Sequence, residues 1–346
     1  MTIALGEITM KEAYLYEKLG NKRVQCRLCN HFCVIEEGDK GLCGVRENRS
    51  GTLLSLVYGK IIAGHCDPIE KKPLFHFLPG SLSYSIATVG CNFRCLFCQN
   101  ADISQMPLDQ SRIVGEVTAP EIIVQTAINQ GATSISYTYT EPTVYLETAL
   151  ETARIATEKG LRNVFVSNGY MTPAALLKMG KNLHAINVDL KAFNKKFYRE
   201  QCGAKLEPVL KTLETLKSMG IWIEVTTLLI PGLNDKPEEL QDLARFLVDL
   251  DPGIPWHISR FHPTYRLMHI PATPVSTIQR ARDLGYDAGL QYVYTGNIHG
   301  DEGENTFCHS CKALLINRTG FFVSENRIKD NRCAVCGKEI PGRWNV

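Results

Sequence analysis

The chain has 346 residues, with 38 Lys and Arg against 36 Asp and Glu, a formal net charge of +2. Hydrophobic residues make up 44% and charged residues 21%, the composition of an ordinary soluble globular protein with room for one large domain and small appendages. The balanced charge leaves no broad basic footprint for nucleic acid, no apolar run approaches membrane-spanning length, and Met1–Lys11 lacks a signal-peptide pattern. The expected location is cytoplasmic, with neither a membrane nor a nucleic-acid partner.

Residues 1–80 read as a cysteine-bearing N-terminal region. It opens on a predicted helix near Met10–Leu19 and ends on a strand-like run, Thr52–Ile62. Gly38, Gly41 and Gly44 mark tight turns around the thiols, and Lys71–Lys72 is a short basic pair at a solvated turn.

From Ser83 strands and helices alternate. Predicted strands are Ser83–Val89, Ser134–Tyr139, Asn163–Ser167, Ala185–Leu190, Trp222–Ile230, Trp256–Phe261 and Tyr292–Tyr294. Predicted helices are Ala119–Asn129, Val144–Lys159, Pro173–Lys181, Glu207–Met219, Pro237–Leu250 and Pro274–Leu284. Pro120, Pro142, Pro173, Pro208, Pro237 and Pro274 sit near helix starts, where a missing N–H costs little. The alternation predicts an α/β fold with a parallel sheet. No Gly-x-Gly-x-x-Gly follows the first strand, so residues 81–300 suit a partial parallel (β/α)6-type barrel, whose chemistry lies at the carboxyl ends of strands. Residues 301–346 break the rhythm as a small metal-binding appendage with strand-like runs Ala313–Asn317 and Gly320–Val323.

The 13 cysteines fall into groups of four, three and four, a pattern of metal sites rather than of disulfides. Cys91, Cys95 and Cys98 lie in the run Cys-Asn-Phe-Arg-Cys-Leu-Phe-Cys, directly after the first strand of the alternation. Three thiolates there can hold three corners of a [4Fe-4S] cluster and leave one iron open. A zinc knuckle or buried thiols are the alternative, but no fourth Cys or His follows closely. Cys308-x2-Cys311 and Cys333-x2-Cys336 have zinc-ribbon form, with an auxiliary iron–sulfur cluster as the alternative. Cys26, Cys29, Cys33 and Cys43 offer zinc or a second cluster. Cys66 and Cys202 are left over and read as buried apolar thiols, although Cys66 could line the site.

Polar residues recur after the strands. Glu141 follows the second, as a ligand for an ammonium or as an acid complementing a helix N-terminus. Ser167-Asn168-Gly169 follows the third, as hydrogen-bonding groups or an ordinary turn. Asp189 and Lys191 follow the fourth, at the period-two spacing of one strand face, as an inward pair or an exposed salt bridge. Glu224 and Thr226 alternate on the fifth, and His257, Arg260 and His262 lie on or near the sixth.

The spacing C-x3-C-x2-C, with Phe97 before the last Cys, resembles the radical S-adenosylmethionine (SAM) superfamily. That resemblance implies that the open iron binds the amino and carboxylate groups of SAM. One electron from the reduced cluster then yields methionine and a 5′-deoxyadenosyl radical that abstracts hydrogen from a substrate. It implies an electron donor such as flavodoxin or ferredoxin, and cofactor contacts by Phe97, Glu141, Ser167, Asn168, Asp189 and Lys191. Tyr139 and Thr140 stand where the family usually has two glycines before the acid. Residues from about 50 to 300 resemble the pyruvate formate-lyase activating enzymes, which install a glycyl radical on a partner protein. Asp67–Leu74, Trp256–Pro263 and Pro341–Asn345, with the N-terminal cysteines, resemble the radical SAM component of the AmmeMemoRadiSam system, whose other proteins become possible partners. A non-catalytic multi-metal electron-transfer protein would explain the grouped cysteines but not Glu141, Asn168 or the Asp189–Lys191 pair.

Overall fold

The structure is a computed structural model that describes residues 10–298 and 300–345. Most of the Met1–Lys11 segment read for a leader lies outside the described residues. Among those described, no helix is long and apolar enough to cross a membrane.

The architecture is mixed α/β, with helices alternating with the strands of a large, mainly parallel sheet of eight strands. Two compact units divide the chain. The first holds residues 1–66, 83–94 and 100–184, and the second holds residues 67–82, 95–99 and 185–346.

In the first unit strand β1 (Leu82–Ala87) pairs in parallel with β2 (Ser134–Tyr137), with Ser134 opposite Ser83, and β2 pairs with β3 (Arg162–Ser167). Every residue of β2 is buried, as expected of a strand covered on both faces. Helix α1 (Pro120–Asn129) precedes β2, α2 (Leu146–Glu158) joins β2 to β3, and α3 (Pro173–Met179) follows β3. Pro120 and Pro173 occupy the first helical turn, and Thr172 caps α3 by accepting the Ala175 N–H at 3.3 Å.

In the second unit β4 (Ala185–Asp189), β5 (Trp222–Leu229), β6 (Trp256–Arg260) and β7 (Val293–Gly296) pair successively in parallel. Helices α4 (Glu207–Ser218), α5 (Pro237–Leu250) and α6 (Val275–Ala288) connect them. On α5 the residues Leu240, Leu243, Ala244 and Leu247 are buried, an i, i+3, i+4, i+7 stripe. Each leucine contributes about 1.5–3 kcal/mol through burial.

One sequence expectation fails at the start. Met10–Leu19 forms no helix: Lys11–Glu12 and Tyr16–Lys18 are short strands, and Leu15 between them has φ +57°. Lys11–Glu12 finds a distant partner in Thr52–Ser55, Tyr16–Lys18 closes a local hairpin with Val24–Cys26, and the Ala13 N–H donates to Leu53 O at 2.8 Å. Strand pairing outweighs the local helical propensity of a segment rich in Met, Lys, Glu, Ala and Leu. The run Thr52–Ile62 is likewise broken, into Thr52–Ser55 and Lys60–Ile61.

The C-terminal appendage is an antiparallel sheet of Thr306–Phe307, Leu314–Thr319 and Phe322–Asn326, followed by the hairpin Ile328–Lys329/Arg332–Cys333. Asp330 and Asn331 turn that hairpin with φ +48° and +60°, the conformation of a tight primed turn.

Candidate active site

In the first unit the carboxyl ends of β2 and β3 converge on Glu141, which is 2% exposed. Its Oε1 accepts from the Thr143 N–H at 3.0 Å, the Thr143 hydroxyl at 2.5 Å and the Ser167 hydroxyl at 2.8 Å. Oε2 accepts the Asn168 N–H at 2.8 Å. Oε1 is saturated, so Oε2 keeps the lone pair that a ligand donor can use. Burial pushes the Glu141 carboxyl above its ordinary range, and the donors from Thr143, Asn168 and Ser167 offset part of that rise.

Asn168 joins this carboxylate to the cysteine loop. Its side-chain N–H donates to Asn92 Oδ1 at 2.7 Å and reaches Cys91 Sγ at 3.8 Å, while its Oδ1 accepts the Tyr170 N–H at 3.0 Å. Cys91 Sγ also accepts the Phe93 N–H at 3.3 Å. A sulfur that collects N–H donors is in the surroundings of a thiolate. Beside it, Asn92 Nδ2 is buried without a partner among the described residues, a donor that an acceptor such as a cluster sulfur would satisfy. The residues present therefore fit an iron–sulfur cluster at this loop.

The glycine before Cys91 is required by space. Gly90 has φ +99°, and a Cβ there would lie 2.6 Å from Val45 Cγ1 and 3.2 Å from Cys43 O. The loop before Glu141 also departs from simple expectation. Tyr139 stands where glycine would be usual, yet it holds φ +61°. The Thr140 N–H bonds back to Thr138 O at 2.7 Å, closing the rare, strained kind of γ-turn. Three contacts hold Tyr139 there: Asn100 Nδ2 donates to its carbonyl at 2.8 Å, Thr140 Oγ1 donates to Thr88 O at 2.8 Å, and the His65 ring meets its ring edge-on at 6.2 Å.

The N-terminal cysteines lie against the same loops. Cys26 and Cys43 are buried, Cys29 and Cys33 partly so. Burial pushes the Cys29 thiol up, and Cys26, Cys43 and Cys33 nearby push it further. Burial likewise raises Cys43 to about 11, with Arg46 opposing. Cys29 bridges to Met171, Asn30 Nδ2 donates to Tyr170 O and Met171 O, and His31 Nε2 bonds Asn92 O at 2.7 Å. Arg46 and Glu147, both buried, tie this lobe to α2 with bonds of 2.6 and 2.7 Å.

The remaining predicted residues lie in the second unit, with Cys95 and Cys98. The Cys98 N–H bonds Cys95 O at 3.2 Å, and Phe97 packs on Phe197 with 5.7 Å between ring centroids. Strand β4 stops at Asp189 in a turn closed by the Leu190 N–H to Val188 O, so Asp189 and Lys191 do not alternate on one strand. They still pair, at 3.0 Å, and the Lys191 ammonium lies 5.8 Å from the Phe97 ring centre. Burial lowers the Lys191 pKa, but Asp189, Cys95 and Cys202 outweigh it and hold the amine well above its ordinary value.

Sequence reading passed over Thr143 and Asn92, and its reading of Cys202 as a buried thiol agrees with a side chain 0% exposed. Thr143 and Asn92 were signalled only by adjacency, two residues after Glu141 and one after Cys91. Cys66 is half-buried rather than buried, its thiol 3.9 Å from Gln130 O.

At the appendage Cys308, Cys311, Cys333 and Cys336 bring their four sulfurs within 4.8 Å of one another. Cys308 and Cys336 are 3.7 Å apart, and Cys311 and Cys333 are 3.8 Å apart. Burial raises the Cys333 thiol, but N–H donors from Cys336 and Val335 and the neighbouring thiols bring it down to about 7.

An uncharacterized protein of Methanocaldococcus jannaschii is 46% identical over 96% of this chain and 99% of its own length. The family model described as Radical SAM superfamily matches residues 85–247. The chain belongs to the radical SAM superfamily. A second M. jannaschii protein, named as a candidate glycyl-radical enzyme activating enzyme, is 26% identical over 51% of this chain and 66% of its own. Among solved structures, Streptococcus suis SuiB bound to S-adenosylmethionine is similar over 70% of this chain and 56% of that chain, with 15% identity and a TM-score of 0.51. At that identity the likeness concerns the fold. Radical SAM membership implies a [4Fe-4S] cluster and SAM, and supports cleavage of SAM to a radical.

Proposed function

We propose that this radical SAM protein is an enzyme whose 5′-deoxyadenosyl radical abstracts hydrogen from a substrate, with Cys91, Cys95 and Cys98 as cluster ligands. The observation that carries the reading is Asn168: its backbone N–H holds Glu141 Oε2, and its side chain reaches Cys91 Sγ. One residue thus couples a candidate cluster thiolate to a carboxylate with a lone pair to spare. When bound, the cluster supplies one electron to the SAM sulfonium, releasing methionine and the radical. Glu141 would receive the SAM ammonium, Ser167 and Asn168 hold that carboxylate in place, and Asp189, Lys191 and Phe97 would contact the cofactor.

The experiment is anaerobic incubation of the reconstituted, reduced protein with SAM, read as 5′-deoxyadenosine formed. No cleavage with the cluster intact would sink the enzyme reading in favour of an electron-transfer protein. Cys95→Ala should abolish cleavage.

For substrate, the AmmeMemoRadiSam resemblance favours a small molecule or a residue of a partner protein, with the other components of that system as partners and flavodoxin or ferredoxin as electron donor. The relative named for glycyl-radical enzyme activation supports a second reading, in which the substrate is a backbone glycine. A doublet glycyl signal by electron paramagnetic resonance after incubation with the partner would select it.

The three-part division into residues 1–80, 81–300 and 301–346 is proposed as a division of labour. The last part holds zinc. Zn–S bonds of about 2.3 Å give tetrahedral S–S edges of about 3.8 Å, and the observed pairs are 3.7 and 3.8 Å apart. The thiolates of a cubane sit on separate irons and spread wider. The N-terminal four would hold zinc or a second cluster. Thiols grouped by spacing for metal binding fit a reducing compartment, the cytoplasm.

A further inference from the structure

Leu96, between Cys95 and Cys98, is held at both of its backbone groups. Its N–H donates to Gln201 O at 3.0 Å, and its carbonyl accepts the Arg266 N–H at 3.0 Å. Two segments therefore fasten the cysteine loop, one following β4 and the other following β6, all within the second unit. The first is fastened again at Phe97, which packs on Phe197 and lies 5.8 Å from the Lys191 ammonium.

Both segments are basic. Residues 189–207 and 260–272 hold seven Lys and Arg against three Asp and Glu, a net charge of +4, while the rest of the chain has 31 against 33, a net charge of −2. No acid occurs between Asp251 and Asp283, and the second segment adds His262 and His269. Lys195, Lys196, Arg199 and Arg266 are exposed, as is Met268 at 66%. Lys195 pairs with Glu207 at 2.5 Å and Arg199 with Glu200 at 3.0 Å, but basic side chains 78% and 71% exposed make these pairs weak. Between the two segments the loop is uncharged from Cys95 to Gln99, with Leu96 and Cys98 partly exposed.

We propose that these two segments form the docking surface for the electron donor, a small protein with an acidic face around its redox centre. The inference rests on the proposed assignment of Cys95 and Cys98 as cluster ligands. The open iron would face SAM, which leaves the loop side for the donor. An acidic substrate would instead be bound where the radical forms, at the open iron. One electron leaves the donor's reduced cofactor and one enters the cluster, which passes from the 2+ to the 1+ state with no bond made or broken. Electron-transfer encounters bury little surface, so complementary charge rather than apolar area sets how fast the partners meet.

The test mixes the anaerobically reconstituted full-length chain with a reduced flavodoxin and follows oxidation of its flavin by stopped flow. Wild type, Lys196→Glu/Arg266→Glu and Lys159→Glu/Lys181→Glu are compared at matched iron content. The last pair makes the same charge change at exposed lysines of the first unit. The second-order rate of Lys196→Glu/Arg266→Glu should fall about tenfold or more at low salt. The wild-type rate should fall as salt rises from about 0.05 to about 0.5 M, and that of this variant should change less. The first-unit pair should keep the wild-type rate, and photoreduction by 5-deazaflavin, a small uncharged reductant, should be equal in all three. Equal flavodoxin rates in wild type and Lys196→Glu/Arg266→Glu would overturn the inference and leave the enzyme reading intact, as would a flavodoxin that reduces no wild-type cluster. If this variant no longer binds a polyglutamate peptide or an oligonucleotide while its flavodoxin rate is unchanged, the surface belongs to another acidic partner and the inference falls. If this variant takes up no iron, the wild type still decides: a flavodoxin rate indifferent to salt would overturn the inference. A wild type that 5-deazaflavin reduces without cleaving added SAM would sink the enzyme reading and leave the docking surface standing. A wild type that assembles no cluster on these cysteines would overturn both.

Discussion

Glu141 accepts the backbone N–H of Asn168 at 2.8 Å, so the acid after one strand is held by the residue after the next. The other carboxylate oxygen already takes three donors. Glu141→Gln places an NH2 against at least one of these donors and removes the charge. SAM affinity should fall roughly tenfold or more, the worth of a hydrogen bond to a charged group, measured by equilibrium binding to the reconstituted protein. Stability should fall by about 1–3 kcal/mol.

The same carboxyl predicts a pH dependence. Burial raises its folded pKa above the ordinary 4.5, so between these two values the folded chain holds the proton more tightly than the unfolded one. Its contribution to stability therefore declines as pH rises through that window, while SAM binding, which needs the carboxylate, strengthens. Binding isotherms from pH 4.5 upward in the wild type and in Glu141→Gln should diverge only where the wild type ionises.

His76 works in the opposite direction. Burial pushes it down to about 4, with Glu224 and the Pro341 carbonyl opposing and Arg318 and His257 adding to the fall. Its Nδ1 bonds Pro341 O at 2.7 Å, its Nε2 bonds the Tyr294 hydroxyl at 2.6 Å, and its backbone N–H donates to Glu224. The unfolded chain takes up the proton first, near 6.5, so stability is lost as pH falls from 6.5 toward 4. Trp344, whose ring lies 4.9 Å from that of His76, should report the loss by fluorescence in urea. His76→Gln should flatten that slope, and an unchanged slope would show that other groups carry it.

Arg46 and Glu147 are 1% and 0% exposed at the side chain, and Glu147 also accepts the Tyr14 N–H at 2.6 Å. Removing one member leaves a buried charge alone, so Arg46→Ala should cost about 3–5 kcal/mol. Replacing both with apolar residues of similar volume should cost far less. Urea denaturation of the two variants distinguishes a strained single loss from a general packing defect.

The appendage should release one zinc per chain to a chelator, and Cys333→Ala should arrive without it. The visible absorbance of the cluster at Cys91, Cys95 and Cys98 should persist in both cases. A loss of iron in step with Cys333 would instead assign these four thiolates to a cluster.

Much of this protein is legible along the chain because it depends on local order. The strand–helix alternation follows from period, Pro237–Leu250 begins and ends where its proline and apolar stripe put it, and the cysteines declare their groups by spacing. Glu141, Ser167 and Asn168 were readable as strand-end residues. What joins them was not, because a carboxylate's donors come from residues far apart in sequence. Tertiary packing alone decided that Met10–Leu19 is two short strands, that Tyr139 accepts a left-handed backbone among its contacts, and that Asn92 keeps a buried donor without a partner among the described residues. It did so because a residue's partners depend on what folding brings beside it.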